Sequence, residues 1–257
     1  MSIGIHVGRV IYPEIDKNIL WAVQTFPKLE CVQIFTNNPK TGQLLDMDTK
    51  AVQATGIRIY IHSSYVCTLL NKMPVWQLSV ADKLGAAGVV FHLPAESADV
   101  IAMRVDLLHA KTKILLEMRA MRPGPYSFET PDKIIGLATA LAQRSIKPER
   151  CGIVIDTAHI FAGGTPIRTA SEASAFLAAL DPIKDYIALL HLNGNQETGF
   201  RDRHCAPLDV VDKIWGGIEW QESGCRVFCE YFLSHKKDII MEQAMQDKQT
   251  FKIIQLA

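Results

Sequence analysis

The chain has 257 residues, 27 Lys plus Arg against 27 Asp plus Glu, and is 48% hydrophobic and 21% charged. This composition fits a folded domain with a full core and argues against a disordered chain, while the balanced charge excludes the broad basic field of a nonspecific nucleic-acid binder. Six cysteines without a C-x-x-C pair exclude a disulfide framework and a thiolate zinc site.

In chain order, short apolar runs predict eight strands: 3–7 (IGIHV), 31–35 (CVQIF), 57–62 (IRIYIH), 88–92 (GVVFH), 113–117 (KILLE), 152–156 (GIVID), 187–192 (IALLHL) and 226–232 (RVFCEYF). Helical spacing of apolar residues falls between them, at 14–26, 75–88, 131–145, 171–183 and 209–223. Near-continuously apolar strands alternating with helices predict an α/β fold, a single (β/α)8 TIM barrel spanning residues 1–257. An open dinucleotide-binding sheet would need a G-x-G-x-x-G turn after the first strand, and GIHVGRVIYPE does not supply one. No apolar run approaches the roughly 18 residues of a membrane span. The opening MSIGIHVGRV also lacks a basic-then-apolar export signal. The expectation is an intracellular protein, cytoplasmic or nuclear, without a membrane partner.

Barrel chemistry belongs at the C-terminal ends of the strands. Strand three ends in His62, strand four in His92, strand five in Glu117, strand six in Asp156 with His159 just beyond, strand seven in His191 and strand eight in Glu230. The loop after strand seven adds Asp202 and His204 in RDRH. A single histidine at a strand end is ordinarily a hydrogen-bonded structural residue, but an ionised carboxylate in an apolar strand is costly to bury unless paired or bound to a cation. Five of the eight histidines share the mouth with four carboxylates. Imidazole and carboxylate without thiolate suit zinc, manganese or iron. Nine donors exceed the needs of one ion and fit two or three, the arrangement that serves phosphoryl displacement. His6, late in the first strand, is near enough to join the mouth, whereas His109 and His235 are read as surface or helix residues.

These motifs resemble the endonuclease IV family of metal-dependent apurinic/apyrimidinic endonucleases. The resemblance runs through GIHVG, FTNNP, HSSY, FHLP, LLE, IDTAHIFAGG with IRT, HLNGN, DRH and CEYF, in that order. It implies three zinc ions, with manganese as an alternative at one or more sites. His62, His92 and Glu117 would hold the first; Glu117, Asp156, His191 and Glu230 the second; His159, Asp202 and His204 the third. Glu117 and Glu230 would be the catalytic carboxylates, with Glu117 bridging two ions and positioning a shared hydroxide. The implied reaction is hydrolysis of the phosphodiester 5′ to an abasic site in duplex DNA, leaving a 3′-hydroxyl and a 5′-deoxyribose phosphate. It further implies a monomer that contacts DNA through Lys40, in FTNNPK, and Tyr65, in HSSY, a basic and an aromatic side chain suited to backbone contact and base stacking.

The sequence departs from the family's pattern on the rim and not at the ligands. The stretch after DRH reads CAPLDVVDKI in place of an LGEG-like segment, HLND is HLNG, and the residues after Glu117 are Met118 and Arg119 where Asn-Thr is usual. Two alternatives share the fold: a metal-dependent sugar isomerase or epimerase related to xylose isomerase, which needs fewer metals, and a noncatalytic damaged-DNA binder.

Overall fold

The computed structural model describes residues 2–8, 11–26, 28–71 and 73–243. Eight parallel strands close into a barrel: β1 (Ile3–Val7), β2 (Cys31–Phe35), β3 (Arg58–His62), β4 (Gly88–His92), β5 (Lys113–Glu117), β6 (Cys151–Asp156), β7 (Ile187–His191) and, last among the described residues, β10 (Asp238–Met241). Between β7 and β10 a two-residue hairpin, β8 (Gly194–Asn195) with β9 (His204–Cys205), shapes the long loop on the mouth side. Among the described residues, eight helices are interspersed with the strands: α1 (Ile15–Thr25), α2 (Thr49–Ala54), α3 (Met73–Leu84), α4 (Ala98–Asp106), α5 (Pro131–Gln143), α6 (Thr157–Ala162), α7 (Ala170–Leu180) and α8 (Gly224–Ser234). No helix among the described residues is long and apolar enough to cross a membrane.

Strand pleating divides the apolar residues into two cores. Cys31, Tyr60, Val90, Leu115, Val154, Leu189 and Ile240 pack together as one cluster inside the barrel. Their strand neighbours, such as Val89, Phe91, Ile114, Leu116, Ile153 and Ile155, belong to the larger layer between strands and helices. The lower end of the barrel is tightly filled. A Cβ on Gly4 would fall 2.4 Å from the Cys31 carbonyl oxygen, and one on Gly88 would fall 2.5 Å from the Leu115 side chain. There Asp238, buried, accepts hydrogen bonds from the Tyr60 hydroxyl at 2.8 Å and the Ser2 amide at 3.1 Å, and pairs with Arg58.

The C-terminal quarter corrects the sequence reading. Residues 226–232 are not a strand but lie within α8. Cys225, Phe228, Cys229 and Phe232 are buried on it, at the i, i+3, i+4, i+7 spacing of one helical face, and the Ser223 side chain caps the helix by accepting from the Arg226 amide. The helix expected over 209–223 is instead a run of turns in which Ile214 and Trp215 plug the outer layer, followed by a short 3-10 turn at Trp220–Glu222. The eighth barrel strand therefore comes about one element later, at β10. Phe228→Ala is expected to lower unfolding free energy by about 3–5 kcal/mol in urea titration, because Phe228 is fully buried against Phe176 and Trp215. Tyr231→Ala, at a half-buried position on the same helix, should cost much less.

Candidate metal centre at the barrel mouth

The pleat that fills the barrel also builds the site. Two residues beyond each inward-facing apolar side chain, the next inward position lies at the mouth: Tyr60 is followed by His62, Val90 by His92, Leu115 by Glu117, Val154 by Asp156, Leu189 by His191 and Ile240 by Glu242. Six strands thus aim six donor side chains at one point. Asp202 and His204 join them from the loop and hairpin after β7, and His159 from α6.

Glu117, 1% exposed, sits at the centre. Its Oε2 lies 3.1 Å from His62 Nε2 and 3.2 Å from His92 Nε2, and its Oε1 lies 2.9 Å from His191 Nδ1 and 3.4 Å from His159 Nδ1. Asp202 reaches His159 Nε2 at 3.2 Å and His204 Nε2 at 2.8 Å. Asp156 accepts from the His159 amide at 2.9 Å, capping α6, while its other oxygen lies 3.7 Å from His191 Nδ1. Three groups can each converge on an ion: His62, His92 and Glu117; Glu117, Asp156 and His191; and Asp156, His159 and His204.

Eight of the nine expected donors are thus gathered, and Glu230 is not among them. It lies on the outer surface of α8, 61% exposed and ion-paired to Arg226 at 2.6 Å. Glu242 occupies the strand-end position expected of Glu230, 3.1 Å from His204 Nδ1 and 3.7 Å from His191 Nδ1. Two amides that the sequence reading does not single out orient this carboxylate. Gln33 donates to Glu242 at 2.8 Å while its oxygen lies 2.8 Å from His191 Nε2. Asn193 donates to Asp156 at 2.8 Å and to Glu242 at 3.0 Å. A glutamine inside the apolar run CVQIF is the sequence signal for Gln33. His6 lines the same cavity, and His109 and His235 lie away from it.

The donor chemistry fits metal ions. On three histidines one ring nitrogen is already engaged: His62 Nδ1 with the Ser63 carbonyl at 2.8 Å, His159 Nδ1 with the Met118 carbonyl at 2.6 Å, and His191 Nε2 with Gln33. Such outer partners fix the ring and leave the other nitrogen facing the site, as in ligating histidines.

Electrostatics point the same way. Burial alone would drive the imidazoles toward neutrality, but Asp156, Asp202 and Glu117 outweigh it at His159, and Glu117 and Glu242 at His191, so both are raised to about 9. Burial likewise opposes ionisation of Glu117 and Glu242, yet the facing histidines hold both well below the usual carboxylate range. At Asp156 burial wins and the pKa is raised. At His6 it also wins, lowering the ring to about 4. The carboxylates are thus neutralised by imidazolium protons that a divalent cation would displace.

Two cavities of about 290 Å³ open onto this cluster. One is lined by His6, His62, His92, Glu117, His204 and Glu242; its neighbour by Ser64, Cys67, Leu93, Pro94, Arg119 and Ala120; Tyr65, His92, His159 and Asp202 border both.

Fold and site together define a (β/α)8 barrel that gathers candidate metal-binding groups at the C-terminal ends of its strands. No family model matches the chain. A probable endonuclease 4 of Halorhodospira halophila is 40% identical over 211 residues, covering 68% of this chain and 69% of that protein. The chain belongs to the endonuclease IV family. A probable AP endonuclease of African swine fever virus is 27% identical over 177 residues, and the match spans 65% of this chain and 58% of the viral protein's length. Among solved structures, AsfvAP:AG superimposes with a TM-score of 0.83 at 19% identity, covering 99% of this chain and 94% of that one. Endonuclease IV from Thermus thermophilus gives 0.75 at 20%, covering 100% and 98%. A xylose isomerase domain protein from Planctomyces limnophilus gives 0.59 at 15%, covering 99% and 95%.

Two outcomes follow. Glu242→Gln should weaken retention of metal by roughly 10–100-fold in competition with a chromogenic chelator, whereas Glu230→Gln should leave it unchanged. His159 and His191 carry folded pKa values raised to about 9. Their protonation therefore stabilises the metal-free fold fully below the ordinary imidazole value, and this stability is lost as pH rises through about 9. The melting temperature of chelator-treated protein should accordingly fall between roughly pH 6.5 and 9, and metal should abolish most of that fall.

Proposed function

We propose that this chain is a DNA-repair endonuclease that hydrolyses the phosphodiester 5′ to abasic sites in duplex DNA, leaving a 3′-hydroxyl and a 5′-deoxyribose phosphate. The observation that carries the reading is Glu117, one buried carboxylate shared between the His62–His92 group and the Asp156–His191 group, with the Asp156–His159–His204 group alongside. Such a shared carboxylate would let two cations sit side by side, and paired cations would supply the charge stabilisation that phosphodiester hydrolysis uses. A sugar isomerase of the same barrel has no need of the third group.

Zinc is the proposed occupant, at three sites of which the third draws on Asp202, with manganese as an alternative at one or more of them. His62, His92 and Glu117 would hold one ion; Glu117, Asp156, His191 and Glu242 the second; His159, Asp202 and His204 the third. Bound ions would supply positive charge to the phosphoryl oxygens and acidity to a water molecule. The chain's own residues do the rest. Gln33 and Asn193 fix Glu242 and Asp156, so the carboxylates need not reorganise when the phosphate arrives. Met118 and Ser63 hold His159 and His62 in one tautomer each.

Tyr65 is 57% exposed, and its ring lies parallel to His92 at 5.8 Å, at the rim of both cavities. Its free face suits stacking on a base beside the lesion. The Tyr65 amide donates to the Pro39 carbonyl at 2.9 Å, tying its loop to the one that carries exposed Lys40, which suits a backbone phosphate. We read the protein as a monomeric, single-domain enzyme of the cytoplasm or nucleus.

Incubation with a duplex carrying one tetrahydrofuran abasic analogue tests the reading. Incision on its 5′ side, abolished by chelator and restored by zinc, is expected, with Glu242→Gln at least roughly 100-fold slower. Absence of incision in fully metal-loaded protein would refute it, and turnover of an aldose in its place would favour the isomerase.

A further inference from the structure

Apart from the ligands, the two mouth cavities are lined by neutral side chains with one exception. Arg119 is the single Lys or Arg among the described residues lining either. It is exposed, and Asp202, the carboxylate of its own cavity, is already engaged by His159 and His204. No described residue makes a hydrogen bond or ion pair with the Arg119 side chain. Of the other arginines near the rim, Arg122 stacks over Phe200 at 5.4 Å and Arg203 pairs with Glu197 at 3.6 Å, and neither these nor Arg201 lines either cavity.

The backbone beneath Arg119 is fixed. Met118, immediately before it, is buried, and its carbonyl accepts from His159 at 2.6 Å. Lys133, in the first turn of α5, ties down the far part of this loop by donating to the Gly124 carbonyl, the Ser127 hydroxyl and Glu129, all within 2.9 Å. A guanidinium on a braced loop, unpaired and facing a cavity beside the ligand cluster, is built to receive an anion. Its planar donors match a phosphate's oxygens.

Resting on the endonuclease reading, we propose that Arg119 binds a phosphodiester of the DNA strand flanking the scissile one, in the cavity bordered by Tyr65, Pro94 and Asp202. It supplies a fixed positive charge that is present whether or not the ions are loaded. Because it contacts the strand in ground and transition states alike, its loss should act on KM more than on kcat.

The test is steady-state incision of the abasic duplex by metal-loaded wild type, Arg119→Ala, Arg119→Lys and Arg119→Gln across a salt series, with metal content measured on each. Arg144→Gln, on the exposed end of α5 opposite the mouth, serves as control. Arg119→Ala should raise KM roughly 10-fold, reduce the salt slope by about one unit, and leave metal content and kcat near wild type. Arg119→Lys should restore the salt slope, and Arg119→Gln should not. Wild-type KM and slope in Arg119→Ala, or a loss confined to kcat, would overturn the assignment while incision by wild type keeps the endonuclease reading standing. If Arg119→Ala failed to fold, the contrast between the lysine and glutamine variants would decide. If wild type itself did not incise, both readings would fall together.

Discussion

The mouth of this barrel is governed by the cost of removing carboxylates from water. Glu117 and Asp156 are essentially inaccessible to solvent, and an isolated ionised carboxylate at such a position would be untenable. The arrangement is sustained by surrounding each carboxylate with imidazoles, and by arranging those imidazoles so that protons and divalent cations are interchangeable partners. Metal affinity, histidine protonation and the stability of the upper barrel are consequently one linked equilibrium.

The barrel contributes the geometry almost without dedicated machinery. One inward layer is apolar, and the next inward layer, one pleat higher, is polar. The step between them is two residues on each strand, so a scaffold whose interior is set by Val90, Leu115, Val154 and Leu189 necessarily delivers four donors to a common height. The outer amides Gln33 and Asn193 then remove the remaining rotational freedom of the acidic side chains. Rigid strands, not loops, carry most of the ligands.

Much of this is legible in the sequence because a short apolar run with a polar residue at its end is a local signal. Strands β1 to β7 and the five donors that end them, His62, His92, Glu117, Asp156 and His191, follow from it, and His159, Asp202 and His204 are read from polar residues shortly beyond the sixth and seventh runs. The eighth strand does not, for a physical reason. GCRVFCEYF is rich in β-branched and aromatic residues, and its helical face is equally compatible with a short apolar run. The stop signal that would separate α8 from the strand after it is disguised. The helix closes with Lys236 in the left-handed region, at φ 56°, with the Lys237 amide bonded back to the Phe232 carbonyl at 2.9 Å and the Lys236 amide to Leu233 at 3.1 Å. That is a Schellman close in which lysine stands where glycine is expected. The acidic residue of CEYF accordingly mimics a strand-end ligand, and the one in DIIME, which truly ends the last strand, is masked by it. Gln33 and Asn193 are harder still, since their roles depend on partners up to 209 residues away in sequence.

Asp156 carries a consequence for how such a site can change. One of its oxygens begins α6 by capping the His159 amide, and the other faces His191 in the donor cluster. A lineage that abandoned metal chemistry could not simply discard this aspartate, because the same substitution would leave a helix without its first turn's anchor and would release His159 from its register. Loss of function here is chained to loss of local architecture. Drift at the mouth should therefore accumulate in the loops around Asp156 long before it reaches the side chain itself.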